Sequence, residues 1–286
     1  MIEDPRRVLA RHGLRAKKSW GQNFLVDRSV HARIVAAAAA GADDVVVEIG
    51  AGLGTLTTAL AAADPPPRRI VAVERDPDML RVLTAELGTA PGVTVLAEDA
   101  ARFDFVAASG EAGRPLIVVG NLPYQIASAL TLAIVNAGAR RAIARAVIMV
   151  QREMGARIVA PPGGRTYGRL SVAVQQHADA RVLFHVRPGS FHPPPQVTSS
   201  VILLEPRAAP RAPVRDAQLF EEVVKQAFST RRKMLRRALE PAFGEARVTA
   251  ALVAAGIDGT RRAEELSVAD FARLADGLGT PSSGTG

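Results

Sequence analysis

Asn121-Leu122-Pro123-Tyr124 combines residue types that fit one piece of chemistry. It follows the apolar run Leu116 to Val119 and Gly120, so it belongs at a strand's C-terminal end, the edge where open α/β sheets build their sites. The Asn carbonyl can accept one N–H of an exocyclic amine, and a backbone carbonyl beside it can accept the other. Pro123 fixes φ and stiffens the loop, while Tyr124 offers a ring on which a planar base can stack. A plain strand-ending turn accounts for Asn and Pro equally well. The company these residues keep decides between the two.

Glu48-Ile49-Gly50-Ala51-Gly52-Leu53-Gly54 joins an earlier strand to a helix. Its G-x-G-x-G spacing departs from the G-x-G-x-x-G of dinucleotide folds, so it suits a ligand whose amino-acid and ribose portions pass over the loop without a phosphate to hold. Glu74 ends the second strand, where a carboxylate can accept both ribose hydroxyls. Asp99 ends the third, placed to accept from an adenine amine. Each piece alone is weak, since strand-end acids are commonly solvated. As an ordered set on successive strand tips they point to one cleft.

Those tips need a scaffold, and the pattern supplies it. Val45–Ile49, Ile70–Val73, Val93–Leu96, Leu116–Val119 and Ala146–Val150 read as strands, with helix-compatible segments near 55–63, 77–87, 125–138 and 151–159 between them. This alternation predicts a doubly wound, mostly parallel α/β sheet. Arg181–Val186 and Ser199–Leu204 are two further strands around the Pro188–Pro195 loop, expected as an antiparallel pair at the sheet's end. After a linker over 205–213, helices near 216–240, 245–255 and 267–277 predict a small all-α domain.

Composition narrows the classes. The chain has 286 residues, 48% hydrophobic, and no cysteine, which excludes disulfides, thiolate metal sites and a catalytic Cys. No apolar run is long enough to span a membrane and the first 30 residues lack a signal-like apolar stretch, so a soluble, cytoplasmic protein is expected. The five histidines have no metal-ligand spacing, so no metal is expected. The net charge of +8 is uneven. Residues 1–33 hold eight Lys/Arg against three acids, and residues 34–204 are nearly balanced. Lys225, Arg231, Arg232, Lys233, Arg236 and Arg237 form a dense basic block without an intervening acid. Basic patches around a neutral body suggest a polyanionic partner, although charge runs are often only solvated faces.

The ordered set resembles the S-adenosylmethionine-dependent methyltransferases acting on amino groups. Gly21-Gln22-Asn23-Phe24-Leu25-Val26-Asp27, Tyr167-Gly168-Arg169-Leu170-Ser171 and Phe191-His192-Pro193-Pro194-Pro195-Gln196-Val197 sharpen this to the ribosomal RNA adenine N6-dimethyltransferases. Phe228-Ser229-Thr230-Arg231-Arg232-Lys233 and Arg262-Ala263-Glu264-Glu265-Leu266-Ser267 look like the bacterial small-subunit branch. The likeness runs from about residue 17 to 277. It departs from common spellings at Ala51, where Pro is frequent, and at Thr198, where Asp is frequent.

The resemblance implies a Rossmann-like methyltransferase domain over 28–205, a basic N-terminal arm over 1–27 and a helical RNA- or ribosome-contacting domain over 206–286. It implies S-adenosyl-L-methionine as cofactor, held by Asn23 and Leu25 from the arm, Gly50 at its methionine portion, Glu74 at the ribose and Asp99 at the adenine. Asn121 would bridge cofactor and target, with the Leu122 carbonyl helping to hold the target amine and Tyr124 and Phe191 sandwiching the base. A core aromatic in a proline-stiffened turn is the competing reading of Phe191. The implied substrate is small-subunit ribosomal RNA in a 30S assembly intermediate, with two adjacent adenosines near the 3′ end each dimethylated by a monomer. Three rivals stand beside it: the large-subunit, antibiotic-resistance type of adenine methyltransferase, a non-catalytic RNA-binding assembly factor, and a nicotinamide dehydrogenase, which the glycine spacing disfavours.

Overall fold

The computed structural model describes residues 3–17, 20–230 and 233–279. Two compact units divide the chain, one formed by 1–155 with 179–208 and the other by 156–178 with 209–286.

The first unit opens with α1 (Pro5–Arg11), started by the Asp4 carboxylate accepting from the Arg6 N–H. β1 (Phe24–Leu25) follows, then α2 (Arg28–Ala38), capped in the same way by Asp27. Strands and helices then alternate: β2 (Val45–Ile49), α3 (Thr55–Ala61), β3 (Arg69–Glu74), α4 (Pro77–Leu87), β4 (Val93–Ala97), α5 (Phe105–Ala112), β5 (Leu116–Asn121), α6 (Ala127–Ala139) and β6 (Ile143–Gln151). α7 (Arg152–Val159) leads into the second unit, which holds α8 (Arg169–His177). The chain returns through β7 (Ala178–Val186), β8 (Phe191–His192) and β9 (Ser199–Pro206).

Seven strands form one sheet in the order β4-β3-β2-β5-β6-β9-β7. β4 through β6 run parallel, and β9 is antiparallel to β6. The dinucleotide order 3-2-1-4-5-6 is thus interrupted: the last strand in the chain inserts one place before the sheet's end, beside the expected partner β7. Every residue of β2 is buried, as are the first five of β5, because helices cover a central parallel strand on both faces and demand apolar residues at every position. Val30 and Ile34 of α2 and Leu56 and Leu60 of α3 pack on Val46, Ile117, Val119 and Val201 of the sheet.

Parallel pairing places the C-terminal ends of β2, β3, β4 and β5 at one edge, with Glu74 opposite Ala97 and Asn121 opposite Met149. A separate two-stranded ribbon joins β1 to β8, pairing Phe24 with His192 and Leu25 with Phe191. The arm is thereby tied to the proline-rich loop.

The second unit holds α9 (Ala217–Ala227), α10 (Leu235–Phe243), α11 (Glu245–Ala255) and α12 (Val268–Gly279) with α8. The helix expected over 216–240 is two helices. Ser229 turns both its N–H and its hydroxyl back onto the Gln226 carbonyl, at 3.1 and 2.7 Å, which ends α9. Phe228 packs there against Tyr167 and Phe271. Residues 156–178, expected inside the 28–205 domain, fold with this unit instead. Tyr167 and Val172 lie in one core with Phe220, Val224, Leu239 and Phe271, and the Gln176 side chain clasps the Ala212 backbone at 2.7 and 3.2 Å.

Candidate active site

Asn121 closes β5. Its Nδ2 donates to the Asn23 carbonyl at 3.3 Å. A carbonyl can only accept, so this partner fixes which end of the amide faces the arm. Oδ1 then points away, buried and without a hydrogen-bond partner. The Leu122 N–H donates to the Met149 carbonyl at 3.0 Å, which anchors the turn to β6 while the Leu122 side chain is buried. Tyr124 is half-buried, its hydroxyl 3.5 Å from Ser199 Oγ.

The glycine loop leaves β2 with positive φ at Gly50, Gly52 and Gly54 (57–74°), a conformation that L side chains rarely adopt. Glu74 braces it: Oε2 accepts from the Gly52 N–H at 2.9 Å, and Oε1 from the Arg75 and Asp76 N–H groups at 2.8 Å each. A carboxylate offers about four lone-pair positions, so about one stays available, and Glu74 lines the cleft. Asp99 accepts from the Ala101 N–H at 3.0 Å and from Arg75 at 2.9 Å. The backbone donor, assisted by Arg75, holds its carboxyl below the usual carboxylate range against the opposing effect of burial.

One cleft is lined by Asn23, Leu25, Gly50, Glu74, Asp99, Asn121, Leu122 and Tyr124 together. The strand-tip groups and the arm residues thus converge. Phe191 does not join them. It is 3% exposed and packs in the core with Leu25, Val30 and Val201, because its pairing with Leu25 in the β1–β8 ribbon takes it inward. The expected wall of a base sandwich is, in this structure, a core aromatic.

The basic block is also less free than its sequence implied. Arg231 and Arg232 lie outside the described residues. Lys225 pairs with Glu222 at 3.0 Å, and Arg236 and Arg237 both pair with Glu240, at 3.1 and 3.3 Å. The two acids that bracket the run reach into it across one helical turn. Lys233 is exposed.

Several groups of the cleft escaped the sequence reading. Glu48 is buried, accepts from the Thr57 hydroxyl and lines the cleft floor. Burial, with a smaller contribution from Glu74, pushes its carboxyl up to about 8, so it is largely protonated at neutral pH. His31 is the buried exception among the histidines. Its Nδ1 meets the Asp27 carbonyl at 3.0 Å, so that nitrogen carries the hydrogen and Nε2 accepts from Thr55 Oγ1 at 3.1 Å. Burial lowers its pKa and keeps it neutral. Behind the lining residues Glu74 and Arg75, buried Asp76 accepts from Lys17 at 2.7 and 3.0 Å and from Gln22 at 2.7 Å, clamping the arm to the turn after β3. The Gln in the Gly21–Asp27 motif was the available signal for that clamp.

An inserted antiparallel strand, with a G-x-G-x-G loop at the same sheet edge as an Asn-Leu-Pro-Tyr turn, defines the methyltransferase class of α/β domain, here joined by a chain of C-terminal helices. Within that class the chain belongs to the ribosomal RNA adenine dimethylase family, whose model matches residues 13–279. It is 46% identical to ribosomal RNA small subunit methyltransferase A of Anaeromyxobacter sp. (strain K), over 96% of this chain and 98% of that protein. It is 43% identical to the Myxococcus xanthus protein of the same name, over 99% of each. Among solved structures, the 23S rRNA methyltransferase ErmE is similar with a TM-score of 0.68 and 27% identity, covering 90% of this chain and 99% of that one. A dimethyladenosine transferase from Plasmodium falciparum shares the fold at a TM-score of 0.69 and 22% identity, covering 88% and 95%.

Proposed function

We propose that this chain transfers methyl groups from S-adenosyl-L-methionine to the N6 amine of adenosines in small-subunit ribosomal RNA, dimethylating two adjacent adenosines near the 3′ end during ribosome assembly. The observation that carries the reading is Asn121 Oδ1, a buried acceptor with no partner in a cleft. Leaving such a group unsatisfied costs about 1–3 kcal/mol, and an amine N–H of the target would relieve it.

The residues present fit the cofactor. Glu74 is already oriented by three backbone donors and has lone-pair capacity left for a ribose hydroxyl. Asp99 is ionised and stands at the next strand tip for the adenine amine. Asn23, Leu25 and Gly50 line the same cleft for the methionine end. When bound, the cofactor supplies a sulfonium methyl that is electrophilic.

The protein's part is placement and polarity. The N6 lone pair of adenine is delocalised into the ring and is a poor nucleophile. Asn121 Oδ1 and the Leu122 carbonyl would accept its two hydrogens, favouring a pyramidal nitrogen whose lone pair points at the methyl. That stabilises the transition state more than the ground state. Transfer of that methyl from sulfur to N6 would make the N6 proton acidic, so water could take it and no side chain of the cleft is required as a base. Tyr124 would hold the extruded base by stacking, worth about 1–3 kcal/mol against an extrusion cost of a few kcal/mol.

Incubating the protein with undermethylated 30S particles, or with 50S particles, and labelled cofactor tests the reading. N6,N6-dimethyladenosine is expected in nucleosides from the small subunit alone. Label only in the large subunit would move the assignment to the resistance-type reaction that the likeness to ErmE brings in. No labelled adenosine from either would sink both.

A further inference from the structure

Trp20 is the single tryptophan of the chain, and it stands 42% exposed on the wall of the cleft. A large apolar side chain this exposed is not held by burial in a core. Two cations hold it instead. Lys17 Nζ lies 5.2 Å and Arg75 Cζ 5.1 Å from its ring centroid, both within cation–π range. Both cations are themselves anchored, Lys17 by Asp76 and Asp78 at 2.7 Å each and Arg75 by Asp99 at 2.9 Å. A large, flat, braced ring is therefore presented beside the acid that stands ready for an adenine amine.

We propose that Trp20 is a cofactor-binding residue, a stacking wall for the purine of the bound cofactor, with Lys17 and Arg75 holding the indole in position. The inference rests on the cofactor reading given above and adds to it the group that recognises the base by its face, where Asp99 takes the edge. An exposed indole near two cations also suits an RNA base. Its place in the cleft, with Arg75 in cation–π range of the ring and ion-paired to Asp99, favours the cofactor.

Because Trp20 is the only tryptophan, its emission reports on this contact alone. The full chain is titrated with S-adenosylhomocysteine and followed by fluorescence and by calorimetry. A saturable emission change with the calorimetric midpoint is expected. 5′-Methylthioadenosine, which keeps the purine and drops the amino acid, should reproduce it, and methionine should not. Trp20→Ala should weaken S-adenosylhomocysteine about tenfold, within what stacking a base on an aromatic ring is worth. Trp20→Phe should stay within about threefold of the parent, and it keeps the question decidable if the alanine variant folds poorly. Calorimetric binding without an emission change, or with full affinity in Trp20→Ala, overturns the inference and leaves the cofactor reading standing. No binding heat and no emission change overturns both. A Trp20→Ala protein that loses RNA affinity while keeping cofactor affinity reassigns the ring to RNA and overturns the proposal.

Discussion

The orientation of one amide decides what Asn121 can do. Its donor end is occupied by the Asn23 carbonyl, so its acceptor end is the part free to act on a substrate. Asn121→Ala should therefore lower turnover at least 100-fold, the size of effect seen when an aimed polar group is removed. Binding of S-adenosylhomocysteine, measured by calorimetry, should change by less than about threefold; unchanged turnover would refute the role. Glu48 makes a different kind of prediction. Its folded pKa of about 8 lies above the ordinary value of 4.5, so between those pH values the native state keeps a proton that the unfolded chain releases. Stability must then fall as pH rises from about 4.5 to 8 and level off beyond. Glu48→Gln keeps the shape and an acceptor for Thr57 but cannot ionise. Thermal melts across pH 5 to 9 should show the variant losing less stability than the parent, and parallel curves would remove Glu48 as the source. The strand-tip residues were legible only as an ordered set on successive strand ends, since each alone reads equally well as a solvated acid or a turn. Glu48 was not, because its meaning depends on burial and on a threonine in the following helix.

Elements were legible where their pattern is local. The parallel strands and the helices over 77–87 and 245–255 follow from apolar periodicity and from caps such as Asp76. The β1–β8 ribbon was not, since two-residue strands carry no periodicity and their partners lie far apart in the chain. Phe191 was expected in the cleft from the family resemblance and its proline-stiffened loop, and it is this pairing with Leu25 that turns it into the core. The break between α9 and α10 was missed for a related reason: Val224, Phe228, Leu235 and Leu239 keep helical spacing on both sides of it. Gly120 tests how tightly the site's own strand is set. A Cβ built there would stand 2.5 Å from the Ile49 carbonyl oxygen, on the β2 strand that pairs with β5, where backbone cannot step aside. Gly120→Ala should cost roughly 1–3 kcal/mol by overpacking and lower turnover with it by displacing Asn121. A melting temperature equal to the parent's would show that the two strands are looser than their register implies.

At the scale of the whole chain, the question is where a polyanion is held. The sequence places +5 in residues 1–33, yet the structure ties much of that charge down. Arg6 pairs with Asp4, Arg11 with Glu3 and Glu86, and Lys17 with Asp76 and Asp78. Arg11 and Lys17 fasten the arm to α4 and its capping residue Asp76, which on the proposed RNA reading shifts the burden of affinity toward the block over 225–237. There Lys225, Arg236 and Arg237 are paired too, but only across helical turns with the cations themselves exposed, where such pairs are worth about 0–1 kcal/mol and yield to phosphate. Full engagement of all six residues would give a log–log salt slope near −4, at about −0.7 per single-strand contact. Glu240→Gln releases Arg236 and Arg237 together, so it should tighten RNA binding a few-fold at low salt and steepen the slope, while leaving S-adenosylhomocysteine affinity unchanged. Binding titrations of parent and variant between 50 and 200 mM salt measure both. A slope that is flat in the parent, or identical in the variant, would mean the block is a solvated face and that the RNA is held elsewhere.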